Sequence, residues 1–171
     1  DLLSLVKMDK TSANLNIENR NLNELIELIL KRLRPIAKQR NIDVLYESAR
    51  EVFAEIDEVK LTLAISNLVE NAIKYNKEYG YVKVSLDADH QFATIMVEDN
   101  GIGIPEEAQE HIFERFYRVD KSHSREIGGT GLGLAIARNA ILLHRGSIKI
   151  DSEEGQGTVF TVKIPIIYVS K

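Results

Sequence analysis

The chain of 171 residues is near the usual size of one domain and can bury a full hydrophobic core, so it needs neither disulfides nor a structural metal to fold. Its composition, 44% apolar and 28% charged, is that of an ordinary globular protein, and a formal charge of -4 argues against a surface devoted to nucleic acid, which needs a net basic face. The absence of cysteine removes disulfides, thiolate zinc sites and thiol nucleophiles, and fits a reducing compartment.

No stretch approaches the roughly 20 apolar residues of a bilayer-spanning helix, and the start lacks the basic and apolar segments of a signal peptide. Asp1 to Asp9 carries helical apolar spacing without a cap, the pattern expected of the tail of a longer helix. After an extended stretch near Leu15 to Ile17, Asn21 opens a helix with apolar positions Leu22, Leu25, Ile26, Ile29 and Leu33, which runs into Pro35 and ends near Asn41. Ile42 to Tyr46 and Val52 to Ile56 read as short strands, and Asp57 is a suitable N-cap for a long helix through Tyr75. A turn at Lys77-Glu78-Tyr79-Gly80 follows. Tyr81 to Leu86 and Phe92 to Val97, joined by the polar turn Asp87 to Gln91, read as a hairpin.

Between Asp99 and Gly129 lie glycines, a proline, a short helix near Glu106 to Phe116 and a polar stretch from Asp120 to Glu126; long irregular segments of this kind are usually functional or disordered. Thr130 to Leu143 reads as another helix, followed by strands Ser147 to Asp151 and Val159 to Ile164 around Gly155-Gln156-Gly157. Hairpin-paired strands with helices interspersed predict an α/β two-layer sandwich, in which a mixed, largely antiparallel sheet is covered on one face by about three helices.

Four elements could carry chemistry. On a helical wheel starting from Asp57, Leu61, Ile65, Leu68 and Ala72 form a core stripe, and Asn67, Asn71 and Lys74 fall within an adjoining arc of about 60°. Two amides and an ammonium then line one ledge, which alone would read as a solvated polar face. Asp99-Asn100-Gly101-Ile102-Gly103 ends a buried strand, where an ionised Asp99 could accept a hydrogen bond from the amine of adenine and repel the carbonyl oxygen that guanine presents there. The competing reading is a plain turn.

Gly128-Gly129-Thr130-Gly131-Leu132-Gly133-Leu134 leads into a helix, and glycines there let backbone amides approach a phosphate at a positive helix end; a hinge is the alternative. The run is not a Walker sequence, and its glycine spacing differs from the dinucleotide fingerprint. Phe113-Glu114-Arg115-Phe116-Tyr117-Arg118 offers two arginines and three aromatics that could form a lid over phosphates, or simply pack locally. His90, His111, His123 and His144 share no metal-ligand spacing and read as surface or internally satisfied histidines.

Taken in chain order, these elements resemble the N, first glycine, F and second glycine boxes of sensor histidine kinases, within the wider family shared with gyrase, the Hsp90 chaperones and MutL. Asn67 to Tyr75 resembles the N box, Asp99 to Gly103 the first glycine box, Phe113 to Arg118 the F box and Gly129 to Leu134 the second glycine box. Gly155-Gln156-Gly157-Thr158 is similar to a third glycine signature, so the resemblance runs from Leu15 to Pro165. It implies a Bergerat-type ATP-binding fold, with a catalytic ATP-binding domain over residues 11–171 and the tail of a dimerisation helix over residues 1–10.

The resemblance also assigns roles. Asn71 would give its amide oxygen to Mg²⁺, Lys74 would reach phosphate oxygens, and Tyr75 would pack along the nucleotide. Asp99 would read the adenine amine, Thr158 would assist through water and Arg118 would clamp the terminal phosphates; Gly101, Ile102, Gly103, Gly129, Thr130, Gly131, Leu132, Gly133 and Leu134 would line the ATP site. Hydrolysing relatives carry a water-activating glutamate four residues before the magnesium asparagine, a position held here by Asn67, whose amide cannot accept a proton at neutral pH. That substitution favours phosphoryl transfer over hydrolysis, with Asn67, Glu70 and Lys74 as the catalytic candidates. Glu70 also has the spacing of a plain ion pair with Lys74.

None of the four histidines has the setting of the family's phosphoacceptor, which belongs to the dimerisation domain and is expected upstream of Asp1. The resemblance therefore implies partnership with a dimerisation and phosphoacceptor domain and, downstream, a response regulator. It further implies a monomeric, cytoplasmic domain of a parent from a family in which many members span a membrane. A hydrolytic ATPase and a nucleotide-sensing module without turnover are the competing functions.

Overall fold

The computed structural model describes residues 15–114 and 133–168. The expected tail of a dimerisation helix at residues 1–10 lies outside them. Strand β1 (Ile17–Asn21) runs directly into helix α1 (Leu22–Gln39), because Asn21 ends one element and caps the next: its side-chain oxygen accepts the amides of Asn23 and Glu24. These amides begin a helix and have no carbonyl partner within it, so the cap decides where α1 starts.

Pro35 sits inside α1 on the exposed face, where the carbonyl that loses its partner can turn to solvent. The helix ends with Asn41 in the left-handed region at φ 58°, the amide of Ile42 bonded to Ala37 O and that of Asn41 to Lys38 O. This paired closure suits asparagine, which tolerates positive φ.

Strands β2 (Asp43–Ser48) and β3 (Phe53–Asp57) precede helix α2 (Glu58–Lys74), with Asp57 as its N-cap accepting the amide of Lys60. β4 (Tyr81–Ala88) and β5 (Phe92–Asp99) form the expected hairpin. Helix α3 (Glu106–Gln109) is a single turn rather than a helix reaching Phe116, and i to i+3 bonds such as His111 N to Ala108 O continue it as turns. Its N-cap, Pro105, supplies no side-chain acceptor for the first amides, so the single turn lacks the support of a cap. Helix α4 is described over Gly133–Leu143, and β6 (Ser147–Glu153) and β7 (Gly157–Pro165) complete the chain.

The main sheet has the order β2-β4-β5-β7-β6, with β2 parallel to β4 and every other pair antiparallel, while β1 and β3 form a separate ribbon. Period-2 alternation turns Val82, Val84, Ala93, Ile95, Val97, Phe160 and Val162 inward, all essentially without exposure. The opposite face carries Lys83, Ser85, Thr94, Met96 and Thr161, none of them buried. α1, α2 and α4 pack side by side over the apolar face, giving the two-layer sandwich that the alternation implies. No helix among the described residues is long and apolar enough to cross a membrane.

A buried histidine ties two of these helices together. His144, at the end of α4 and 2% exposed, sets Nδ1 at 2.8 Å from Ala140 O, while its Nε2 accepts the amide of Asp57 at 3.0 Å. Only the neutral tautomer protonated on Nδ1 satisfies both partners. Burial, opposed by the Ala140 carbonyl and the Asp57 charge, holds its pKa below the usual value of 6.5. The neutral ring therefore contributes stability that is complete above pH 6.5 and is lost as pH falls through the lowered pKa. We expect His144→Leu to cost about 2–4 kcal/mol in urea denaturation at pH 7.5, because it orphans a buried amide and a buried carbonyl.

Candidate functional site

The last two turns of α2 present the predicted ledge. Leu61, Ile65, Leu68 and Ala72 are buried along one stripe, and Asn67, Glu70, Asn71, Lys74 and Tyr75 are each half-buried beside it. At 1.5 Å rise per residue the polar groups extend over about 10 Å. Among the described residues, no group bonds the side chains of Asn67, Glu70, Asn71 or Lys74. The ion pair that the spacing of Glu70 and Lys74 allows is not formed, and both side chains are half-buried.

Asp99 stands at the end of β5 on the inward face, 9% exposed. Its register partners are Val82 on β4 and Thr158 on β7, which place it at the centre of the sheet's edge rather than on a flank. Its Oδ1 accepts the amide of Gly101 at 2.9 Å. Burial pushes its pKa up from 3.8 to about 6; the amides of Gly101 and Thr158 oppose this, and the charge of Glu98 adds to it. Among the described residues no cation stands beside Asp99, and a buried carboxylate so placed is costly by itself and useful where a ligand donor completes it.

The loop after Asp99 joins this carboxylate to the ledge. Ile102 donates its amide to Tyr75 O at 3.1 Å, at the end of α2, and its carbonyl accepts the amide of Gly155 at 2.7 Å from the β6–β7 turn. Gly103 has φ 71°, and a Cβ there would stand 2.2 Å from Glu153 O, while one at Gly101 would stand 2.4 Å from Tyr75 O. These glycines serve close backbone approach, not mobility. Ile102 itself is half exposed. Gly133 brings the start of α4 to the far end of the ledge, where the nearest atom to a Cβ would be Asn67 Cγ at 3.9 Å; Leu134 packs partly buried against the core.

Thr158 is buried, and its hydroxyl lies 2.8 Å from Ser152 Oγ, which also accepts the amide of Ile104 and donates to Gly157 O. Phe113 meets the edge of Phe160 with ring centres 6.2 Å apart. Arg118, Gly129, Thr130, Gly131 and Leu132 lie outside the described residues. Three supports escaped the sequence reading. Ser152 lies opposite Thr158 in the β6–β7 ladder and fastens the first glycine loop. Asn76 holds Tyr81 O, and Asn100 accepts the amide of Tyr81; together they shape the turn between α2 and β4. Ser152 adjoins a recognised motif only in register, whereas Asn76 directly follows one and Asn100 lies inside one, where both would read as turn residues.

Among the described residues no three histidine, aspartate or glutamate side chains gather as a metal site. A metal here would have to be held mainly by a ligand's own oxygens, with an amide such as that of Asn71 as the protein donor, the habit of Mg²⁺ at phosphates.

The matching family model is that of the histidine kinase-, DNA gyrase B- and HSP90-like ATPases, over residues 56–167. The chain is 41% identical over 170 residues to the sensor histidine kinase RppB of Synechocystis sp., covering 99% of this chain and 37% of that protein. It is 40% identical over 168 residues to the sensor histidine kinase WalK of Bacillus subtilis, covering 96% and 27%. It thus spans about a third of the length of these relatives. Among solved structures, the catalytic domain of the histidine kinase ThkA superposes with TM-score 0.80 at 31% identity, covering 92% of this chain and all of that one. ThkA in its complex with the response regulator TrrA superposes with TM-score 0.76 at 29% identity, over 96% and 47%. With the fold, the motif order and these matches in agreement, the chain belongs to the histidine kinase-, DNA gyrase B- and HSP90-like ATPase family, among the catalytic domains of sensor histidine kinases.

Proposed function

We propose that the domain binds ATP with Mg²⁺ between Asp99 and the α2 ledge and donates the γ-phosphoryl group to a histidine of a dimerisation domain. The observation that supports this reading best is the pairing of a buried, uncompensated carboxylate with a row of polar side chains unbonded among the described residues, one suited to an adenine amine and the other to phosphates. When bound, Mg²⁺ would neutralise negative charge that develops on the phosphates. Asn71 Oδ1 fits as its protein ligand, a hard oxygen donor in the last turns of α2. Lys74 would neutralise phosphate oxygens, Tyr75 would lie along the nucleotide, and Gly101 to Gly103 with Thr158 would shape the base end. Gly129 to Leu134 and Arg118 would close the phosphate end.

Transfer follows from positioning and charge neutralisation. A ring nitrogen of the incoming histidine forms a bond to the γ-phosphorus as the bond to the bridging oxygen breaks, and ADP leaves. Asn67, near Gly133, offers no base for a water molecule, so hydrolysis is poorly supported, and Glu70 is the polar helper closest along the helix. A response regulator aspartate then takes the group; the structure of ThkA with TrrA supports a partner of that class. Within such a parent this domain would work in the cytoplasm, monomeric when isolated.

The test is incubation with γ-labelled ATP, alone and with a dimerisation domain from a related kinase added in trans. The expected result is acid-labile label on the added histidine and none on this domain. Label on this domain alone would sink the reading. Release of free phosphate without phosphohistidine would favour a hydrolytic ATPase, and binding without either product would favour a sensing module.

A further inference from the structure

The end of α2 is fastened by a side chain from another element. Arg40, the C-cap residue of α1, donates Nη1 to Ile73 O at 2.5 Å and Lys74 O at 2.8 Å, and Nη2 to Asn76 O at 3.3 Å. The intervening carbonyl, Tyr75 O, accepts the amide of Ile102. A helix ends with carbonyls that have no partner inside it, and here four successive ones at the end of α2 are met from outside. Three are held by one cation and the fourth by the loop after Asp99.

The chemistry suits arginine. Its planar fork places several donors in fixed directions, so one side chain can span three carbonyls, which a lysine ammonium cannot do with the same geometry. Its charge also lies at the negative end of the helix, where a cation is favoured. The carbonyls it fixes belong to Ile73, Lys74 and Asn76, and the side chains of Asn71, Lys74 and Tyr75 spring from the same last turn. Asp99, by contrast, is held by β5 in the sheet. The relative placement of the two ends of the site therefore depends on how that turn is tied down.

We propose that Arg40 is a positioning residue of the nucleotide site: by clamping the carbonyls that close α2 it holds Asn71 and Lys74 in register with Asp99. This inference rests on the reading of the site as one for ATP and Mg²⁺. A clamp that served only to join α1 to α2 would change folding stability and leave the metal dependence of binding alone, and that difference separates the two roles.

The experiment titrates the wild-type domain, Arg40→Gln and Arg40→Lys with a nonhydrolysable ATP analogue, with and without Mg²⁺, and with adenosine, well below each protein's melting temperature. The wild-type domain is expected to bind the analogue more tightly with Mg²⁺. In Arg40→Gln that gain should shrink about tenfold, since an ångström of misplacement can cost more than this, while adenosine affinity stays within about twofold. Arg40→Lys, which keeps the charge and loses the fork, should recover only part of the gain. Should Arg40→Gln fail to fold, a reduced gain in Arg40→Lys alone supports the proposal. A full Mg²⁺ gain in a folded variant that merely melts earlier overturns it. Absence of ATP affinity in the wild-type domain instead overturns the reading of the site, and this inference with it.

Discussion

Asp99→Asn should lower affinity for ATP by roughly a hundredfold and abolish the preference for ATP over GTP. The carboxylate is buried, and its Oδ1 is already engaged by Gly101. An amide in its place turns an NH₂ donor toward the adenine amine or toward one of the two backbone amides that face the carboxyl. Losing a charge-assisted hydrogen bond in a buried site costs about 1.5–3 kcal/mol, with more where a donor is left facing a donor, which sets the expected factor. Guanine gains in relative terms, because the negative charge that repels its carbonyl oxygen is gone.

The same residue gives binding a pH dependence of known sign. With a pKa of about 6, Asp99 is largely protonated at pH 5 before nucleotide binds, and the adenine amine needs the ionised form. Affinity should hold above about pH 6 and fall about tenfold per pH unit below it, as expected for one required ionisation. Titration calorimetry on the wild-type domain and on Asp99→Asn tests this. The wild-type slope minus the variant slope isolates Asp99 from the titration of the nucleotide's own phosphates. Equal slopes would show that this carboxyl does not read the base.

Gly157→Ala should be far more damaging than Gly155→Ala, although the two glycines belong to one short signature. At Gly157, φ is 134° and a Cβ would stand 2.1 Å from Asp99 O and 2.9 Å from Asn100 Cα, both backbone atoms that cannot swing aside. Strain and overlap together should cost roughly 3–5 kcal/mol, enough to leave much of the protein unfolded at 37 °C. At Gly155, φ is 84° but nothing lies within 4 Å, so alanine meets only the left-handed penalty of about 1–2 kcal/mol. Urea denaturation of both variants measures the contrast. Similar losses would mean that β7 does not press on the backbone of Asp99 as closely as the structure has it.

Much of the site was legible because its parts are local. The caps at Asn21 and Asp57 act on amides two or three residues away, so both helix starts could be read from single residues. The ledge follows from helical period alone, which separates Asn67, Asn71 and Lys74 from the buried stripe. Other features were not legible for an equally physical reason. Arg40 and the end of α2 are more than thirty positions apart, as are Ser152 and Ile104, and His144 meets Asp57 at a separation of 87. Nothing in the neighbourhood of His144 distinguishes a buried double-bonded ring from a surface one. The helix expected to reach Phe116 stops at Gln109; its end was not legible, because apolar spacing such as that of Ala108 and Ile112 marks burial whether the backbone between them is helical or turned.

Sequence alone determined the period of each element, most of its ends and the order of the candidate motifs, since these depend on side chains and backbone groups within about four residues of one another. The tertiary structure alone decided that β5 lies between β4 and β7, that the glycine loop closes on Tyr75, and that Asp99 is buried without a cation from the described residues beside it. Those outcomes depend on which strand edges meet and on how much water the assembled layers exclude, quantities that no short stretch of chain carries.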